Sequence, residues 1–148
     1  KGYWNGQRSL DAGKICGWNY AARLVHNEEK YWEDIRQLRN MPMVKTGFIN
    51  QAHITESEHM NFMANNSDKF YVCLWDNDFA GYVGVLDRDI RVATHPDYQG
   101  KGLGKFMINS LMSVYPDSFA KVKIENEASM KLFEACGFKK KYYILEKE

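Results

Sequence analysis

Three strand-like runs between Phe70 and Thr94, joined by only two tight turns, restrict this chain more than any other feature. Phe70 to Trp75 is a continuous apolar run, Phe79 to Leu86 carries Gly81 and Gly84 inside it, and Ile90 to Thr94 completes the set. The connections are Asp76-Asn77-Asp78 and Asp87-Arg88. A parallel pair needs a crossover of a dozen or more residues, so strands linked this closely must be antiparallel. A meander therefore lies at the centre, and the rest of the chain has to cover it. With 148 residues there is material for one core. The expectation is a single domain over residues 20–148, behind an unassigned N-terminal extension, residues 1–19, rich in Gly, Asn and Lys.

The flanking segments supply the cover. Tyr20 to His26 reads as a strand, and Asn27 is placed to cap a helix from Glu28 to Leu38, with Tyr31, Ile35 and Leu38 on one face. That helix should end near Asn40, ahead of Pro42, and Met41 to Ile54 reads as a loop. Thr55-Glu56-Ser57-Glu58 has the capping-box pattern and predicts a second helix from Glu56 to about Ala64, with a turn over Asn65 to Asp68. After the meander, the apolar period changes from two to 3.6. Leu103, Phe106, Met107, Ser110, Leu111 and Val114 line one face of a helix that begins near Gly102 and ends at Pro116-Asp117. Phe119 to Ile124 alternates again and predicts a strand. Asn126 caps a last helix stopped by Gly137, and Phe138 to Leu145 is expected to close the domain as a strand. The order β-α-α-β-β-β-α-β-α-β is that of a mixed α/β (α+β) domain.

A formal net charge of +1 argues against a domain that neutralises nucleic-acid phosphates, and no nucleic-acid partner is expected. The lysines cluster only locally, at Lys101 and Lys105 and at Lys139 to Lys141, which suits a small phosphorylated ligand or a solvated face. Cys16, Cys73 and Cys136 are odd in number and far apart, so a reducing compartment is expected rather than a disulfide framework. His26, His53, His59 and His95 have no zinc-site spacing, and no metal is expected. There is neither an apolar run of ~20 residues nor a basic-then-apolar opening segment; the expectation is a cytoplasmic protein with no membrane partner.

The chemistry sits in Tyr98-Gln99-Gly100-Lys101-Gly102-Leu103-Gly104-Lys105, between a strand and an amphipathic helix. Residues without side chains let the backbone approach a ligand, and the helix start offers unpaired N–H groups and a positive dipole end. Lys101 and Lys105 add charge. A Walker A loop is excluded, because Gln99 stands where its first glycine belongs and Phe106 where its hydroxyl residue belongs. A dinucleotide fingerprint is excluded too: the third glycine comes one residue early, and a meander precedes it rather than a β-α-β unit.

The remaining Gln-x-x-Gly-x-Gly loop, with its lead-in Val92-Ala93-Thr94-His95-Pro96-Asp97-Tyr98, resembles the acetyl-CoA-binding motif of the GNAT superfamily, the GCN5-related N-acetyltransferases. Asn126-Glu127-Ala128-Ser129-Met130-Lys131-Leu132-Phe133-Glu134-Ala135-Cys136-Gly137-Phe138 resembles the family's downstream motif. The resemblance covers about Tyr20 to the C-terminus. It implies the GNAT fold, a mostly antiparallel central sheet with helices on both faces and a cofactor cleft where central strands splay apart. It implies acetyl-CoA as cosubstrate, its pyrophosphate on Gln99, Gly100, Lys101, Gly102, Leu103, Gly104 and Lys105. The pantetheine arm would lie along Val92, Ala93 and Thr94, with Asn126, Ser129 and Phe133 also at the cofactor. Asp89 occupies the position where many members carry a carboxylate base, though a hairpin role for Asp87-Arg88-Asp89 is the plain alternative. Phe133 stands where members often carry a tyrosine that protonates the leaving thiolate. A thiol of pKa ~8.5 leaves tolerably as the anion, so that loss need not abolish activity. His95 belongs to the loop pattern and is read as structural.

The first two helices and their loop should recognise the acceptor. They more loosely resemble the subgroup that acetylates nucleotide-linked amino sugars, which makes Arg39, Asn40, Phe48, Gln51 and His59 candidate acceptor residues. The preferred reading is transfer of acetyl to a primary amine of a small molecule, by a monomer or homodimer. The alternatives are acetylation of proteins or peptides, and a non-catalytic acyl-CoA-binding module.

Overall fold

The computed structural model describes residues 10–11 and 21–148. Of the N-terminal extension only a two-residue strand, β1 (Leu10–Asp11), is therefore described; it pairs antiparallel with β2 (Ala22–His26). Tyr20, the expected start of that second strand, lies outside the described residues.

Strands β3 (Phe70–Trp75), β4 (Asp78–Leu86) and β5 (Asp89–Thr94) form the meander, and the sheet order is β1-β2-β3-β4-β5, antiparallel throughout. Each hairpin turns on two residues of positive φ: Asp76 (48°) and Asn77 (71°), then Asp87 (50°) and Arg88 (69°). Two consecutive left-handed residues give the turn whose twist matches that of paired strands, which explains why Asp and Asn stand there. Between Cys73↔Gly81 and Leu74↔Phe79 the register slips, leaving Ala80 as an extra residue in β4. Its carbonyl accepts from His95 N–H at 2.8 Å.

Strand alternation buries both faces of the sheet. Tyr71, Cys73, Val83, Val85 and Ile90 pack against Leu103, Phe106, Met107 and Leu111 of α4 (Leu103–Val114) and Phe133 of α5 (Glu127–Ala135). On the other face Phe70, Val72, Leu74, Tyr82 and Ala93 meet Ile35 and Leu38 of α1 (Glu29–Asn40) and Met63 of α3 (Glu56–Asn66). The expected arrangement, an antiparallel sheet with helices on both sides, is what the chain adopts. The capping box forms as read: the Thr55 hydroxyl accepts from Glu58 N–H while the Glu58 carboxylate accepts from Thr55 N–H.

Four expectations change. Asn27 does not cap α1; Glu28 is the capping residue, and the Asn27 amide donates to Met63 Sδ at 3.4 Å. The Met41–Ile54 loop contains a short helix, α2 (Pro42–Lys45), because proline suits the first turn of a helix, where its missing N–H costs nothing. Phe119 to Ile124 forms only one parallel bridge, Phe119 with Asp89, before leaving the sheet; Ile124 is 91% exposed. Phe138 to Leu145 is not a strand, and Tyr142, Tyr143 and Leu145 stand in solvent. Alternation shows that a segment can form a strand, but a ladder also needs a partner, and beyond Phe119 the segment has none among the described residues. Among the described residues no helix is long and apolar enough to cross a membrane.

Candidate functional site

The loop after β5 is built by local hydrogen bonding. His95 Nδ1 accepts from Asp97 N–H at 3.1 Å and so caps a single 3-10 turn over Pro96–Tyr98, the structural role expected of it. Gly100 and Gly102 then adopt φ of +81° and +78°, conformations that side chains disfavour. Gly102 begins α4 without a side-chain cap, and the helical ladder starts with Phe106 N–H donating to Gly102 C=O. The N–H groups of Leu103, Gly104 and Lys105 thus have no partner inside the helix and point from its positive end. Gly104 has a packing function. A Cβ there would lie 2.9 Å from Leu132 Cδ2, so its absence lets α4 approach α5.

This helix start opens into a cleft of about 820 Å³. Gln99, Gly100, Gly102, Leu103, Gly104 and Lys105 line one end, as do Asn126, Ser129 and Phe133 of α5. Lys101 does not line it; its ammonium sits over the Trp75 ring, 4.8 Å from the centroid. Val92, Ala93 and Thr94 form one wall and Lys121, Val122 and Lys123 the opposite one. The two walls join where Asp89 bridges Phe119 and part beyond it. Because β5 is the last strand of the sheet, its backbone beyond that bridge has no strand partner on the cleft side, among the described residues. An extended ligand with amide groups can occupy that edge as a strand would.

Asp89 lines the cleft at the start of β5. Its side chain is 14% exposed, with Arg91 Nη2 at 3.5 Å and Lys121 Nζ at 3.9 Å. Phe133 is buried against Phe138, with ring centroids 5.2 Å apart and nearly perpendicular, and offers no proton to the cleft.

Of the five acceptor candidates, two reach the cleft. Arg39 and Phe48 line it, the guanidinium carbon 5.9 Å from the Phe48 ring centroid. Asn40 instead clamps Ile54, donating to its carbonyl and accepting from its N–H, both at 2.9 Å. Gln51 Nε2 donates to Phe48 C=O at 3.2 Å and braces the loop from within. His59 is 2% exposed inside α3, and burial holds its pKa below the usual histidine value. These three shape the loop and its support rather than the cleft. Tyr82, Arg91, Lys121 and Lys123 line the cleft without having been read from the sequence. Nothing local marks them: Tyr82 looks like a core residue in mid-strand, and its face is decided only by the register Tyr82↔Ala93.

The Thr46–Asn50 loop, which lines the cleft, is fastened to α5 and to the segment before it. Asn126 Oδ1 accepts from Ser129 N–H at 3.1 Å, its Nδ2 donates to Gly47 C=O at 3.3 Å, and Lys123 Nζ donates to Thr46 C=O at 3.1 Å.

The sequence model of the acetyltransferase (GNAT) family matches residues 28–138, most of the chain. This chain belongs to the acetyltransferase (GNAT) family. The resemblance carried by its two motifs holds at that level. Solved structures share the fold. Spermidine N-acetyltransferase from Vibrio cholerae, in complex with CoA and spermine, superposes with a TM-score of 0.73 at 17% identity, covering 87% of each chain. YncA from Salmonella typhimurium with acetyl-CoA gives 0.67 at 18% identity, covering 80% of each. The microcin C7 self-immunity acetyltransferase MccE, with acetyl-CoA and AMP, gives 0.63 at 22% identity, covering 81% of this chain and 79% of that one. No curated protein matches the chain.

Proposed function

We propose that this GNAT protein transfers acetyl from acetyl-CoA to a primary amine of a small molecule. The observation that carries the reading is the continuity of the cleft. Unpaired N–H groups at the start of α4, the open edge of β5 at Val92 to Thr94, and Asp89 line one cavity. The helix start suits a pyrophosphate, and the strand edge suits the amides of a pantetheine arm. Acetyl-CoA supplies a thioester carbonyl that a neutral amine can attack.

The amine must first lose a proton. In this reading the carboxylate of Asp89, which lines the cleft, receives it, directly or through water. The nitrogen then bonds to the carbonyl carbon, the carbon–sulfur bond breaks, and the sulfur leaves with the electron pair. With phenylalanine at position 133, the thiolate takes its proton from solvent or from the proton released by the amine.

A small acceptor is favoured over a polypeptide because the Thr46–Asn50 loop lines the cleft and is tied down at Thr46 and Gly47. Within that class we favour a nucleotide-linked amino sugar, on the likeness of the α1–α3 segment. Of the residues behind that likeness, Arg39 and Phe48 line the cleft, which supports the reading.

Titration calorimetry with acetyl-CoA, followed by thiol release over a panel of amines, tests the reading. Saturable binding with release on a small amine is expected. Absence of acetyl-CoA binding overturns the proposal, and binding without release on any amine favours a non-catalytic module.

A further inference from the structure

The two arginines in the last turns of α1 are treated differently by the fold. Arg36 is satisfied: its guanidinium meets the Glu33 carboxylate at 2.6 Å and donates to Ile54 C=O at 3.2 Å. Arg39, one turn on, faces the cleft, and its Nε is buried with no hydrogen-bond partner among the described residues. Among the described residues its guanidinium makes no ion pair. A buried guanidinium nitrogen left without a partner is costly, and a bidentate oxyanion is the ligand its planar fork matches best.

Tyr82 lies beside it. The ring is 2% exposed, it lines the same cleft, and its hydroxyl feels both Arg39 and Arg91 while burial raises its pKa. It is therefore a neutral phenol, able to donate one more hydrogen bond. The other charges agree. Arg39, Arg91, Lys105, Lys121 and Lys123 line the cleft against only Asp89 and Glu125, and Asp89 already has Arg91 and Lys121 beside it. A polycationic amine would find no free pair of carboxylates here.

We propose that Arg39, supported by Tyr82 and Arg91, is the receptor for an oxyanion of the acceptor, so that the amine acetylated carries a carboxylate or a phosphate. This rests on the acetyl-transfer reading above and adds the substrate's charge to it. Arg39 has the role of binding the acceptor's oxyanion, not of moving a proton, so it determines specificity through binding.

The test is thiol release on matched amines: an amino acid and its amide, glucosamine and its 6-phosphate, a nucleoside-diphosphate-linked amino sugar, and spermidine. At least one anionic member should exceed its neutral partner by roughly 10- to 100-fold in kcat/KM, the size of a charge-assisted hydrogen-bonded pair. Which pair responds separates carboxylate from phosphate, and the nucleotide sugar separates a diphosphate from a monophosphate. In Arg39→Met the preference should collapse, with the loss in KM rather than kcat, and Arg39→Lys should restore only part of it. Acetyl-CoA titration of each variant confirms that it is folded, and the unmodified protein's panel decides even if a variant is not. Turnover that is indifferent to the anion, or fastest on spermidine, overturns this inference while leaving acetyl transfer intact. Failure to bind acetyl-CoA, or to release thiol with any amine, overturns both.

Discussion

Asn126 and Gly47, far apart in sequence, are joined by a hydrogen bond from the Asn126 amide Nδ2 to the Gly47 carbonyl at 3.3 Å, while the same side chain caps α5 through Oδ1. One residue thus joins α5 to the Thr46–Asn50 loop across the cleft. The two surfaces are close at Gly47, where an added Cβ would sit 3.1 Å from that Nδ2.

The two roles can be separated. Asn126→Ala should lose the cap, about 1 kcal/mol, lowering the melting temperature by about 3 °C. It should also raise the acceptor KM about fivefold through the freed loop. Asn126→Asp keeps an oxygen for Ser129 N–H but cannot donate to Gly47. Its melting temperature should return toward that of the parent while the acceptor KM stays raised. Thermal unfolding and steady-state kinetics on the two variants check this. Equal effects on both readouts would show that the cap and the loop are one unit.

Gly102 offers a second separation. Its φ is +78°, and an added Cβ would meet nothing within 4 Å, so Gly102→Ala costs only backbone strain, about 1–2 kcal/mol. Gly137 has φ of +91° and equally open surroundings, but it does not line the cleft. Both alanine variants should therefore unfold at lower denaturant by similar amounts. Only Gly102→Ala should weaken acetyl-CoA, by about tenfold, because relieving the strain turns an N–H away from the phosphates. Calorimetry on the pair decides; equal affinity in the two variants would remove the loop from the phosphate site.

The glycine loop after β5 was legible because its requirements are local. Glycines at Gly100 and Gly102, a histidine cap at His95 and an amphipathic helix from Leu103 are all encoded within a few residues of one another. The meander was legible for the same reason, through its two tight turns. The acceptor end was not. Tyr82 reaches the cleft only because the sheet's register puts it beside Ala93, and Lys121 lines it only because the 119–124 segment leaves the sheet after Phe119. Asn40 and Gln51 have side chains well suited to a ligand, but the backbone at Ile54 and Phe48 uses them first. Polar residues in a loop compete between those two uses, and only the folded loop settles which prevails.

Asp89 is the sharpest test of mechanism. Asp89→Asn keeps the shape of the side chain and removes the base. It should lower kcat by about 100-fold or more and leave the acetyl-CoA dissociation constant near that of the parent, because Asp89 lies away from the α4 start. Arg91 and Lys121 lose an anionic neighbour in this variant, so Lys121→Met serves as the control for disturbed charge alone. Single-turnover rates compare them. Full activity of Asp89→Asn would make its position a matter of turn chemistry and move the search for a base elsewhere in the cleft.

His59 makes stability depend on pH in a definite direction. It is buried between α1 and α3, where the Trp32 backbone and the charged groups of Arg39, Arg36 and Glu33 act on it. Burial, the largest cause, lowers its pKa below the 6.5 that the unfolded chain would show. The unfolded state therefore binds the proton more readily than the native one. Stability from neutral His59 is complete above pH 6.5 and is lost as the pH falls from there toward the lowered native value. Glu33, whose bonds to Arg36 and Gln37 bring its pKa from 4.5 to about 2, changes stability mainly as the pH falls below 4.5, beneath the window compared here. The urea midpoint should thus drop between pH 7.5 and pH 5. In His59→Leu, which cannot take up a proton, the drop should be visibly smaller, and equal slopes for the two proteins would assign the acid sensitivity to other groups.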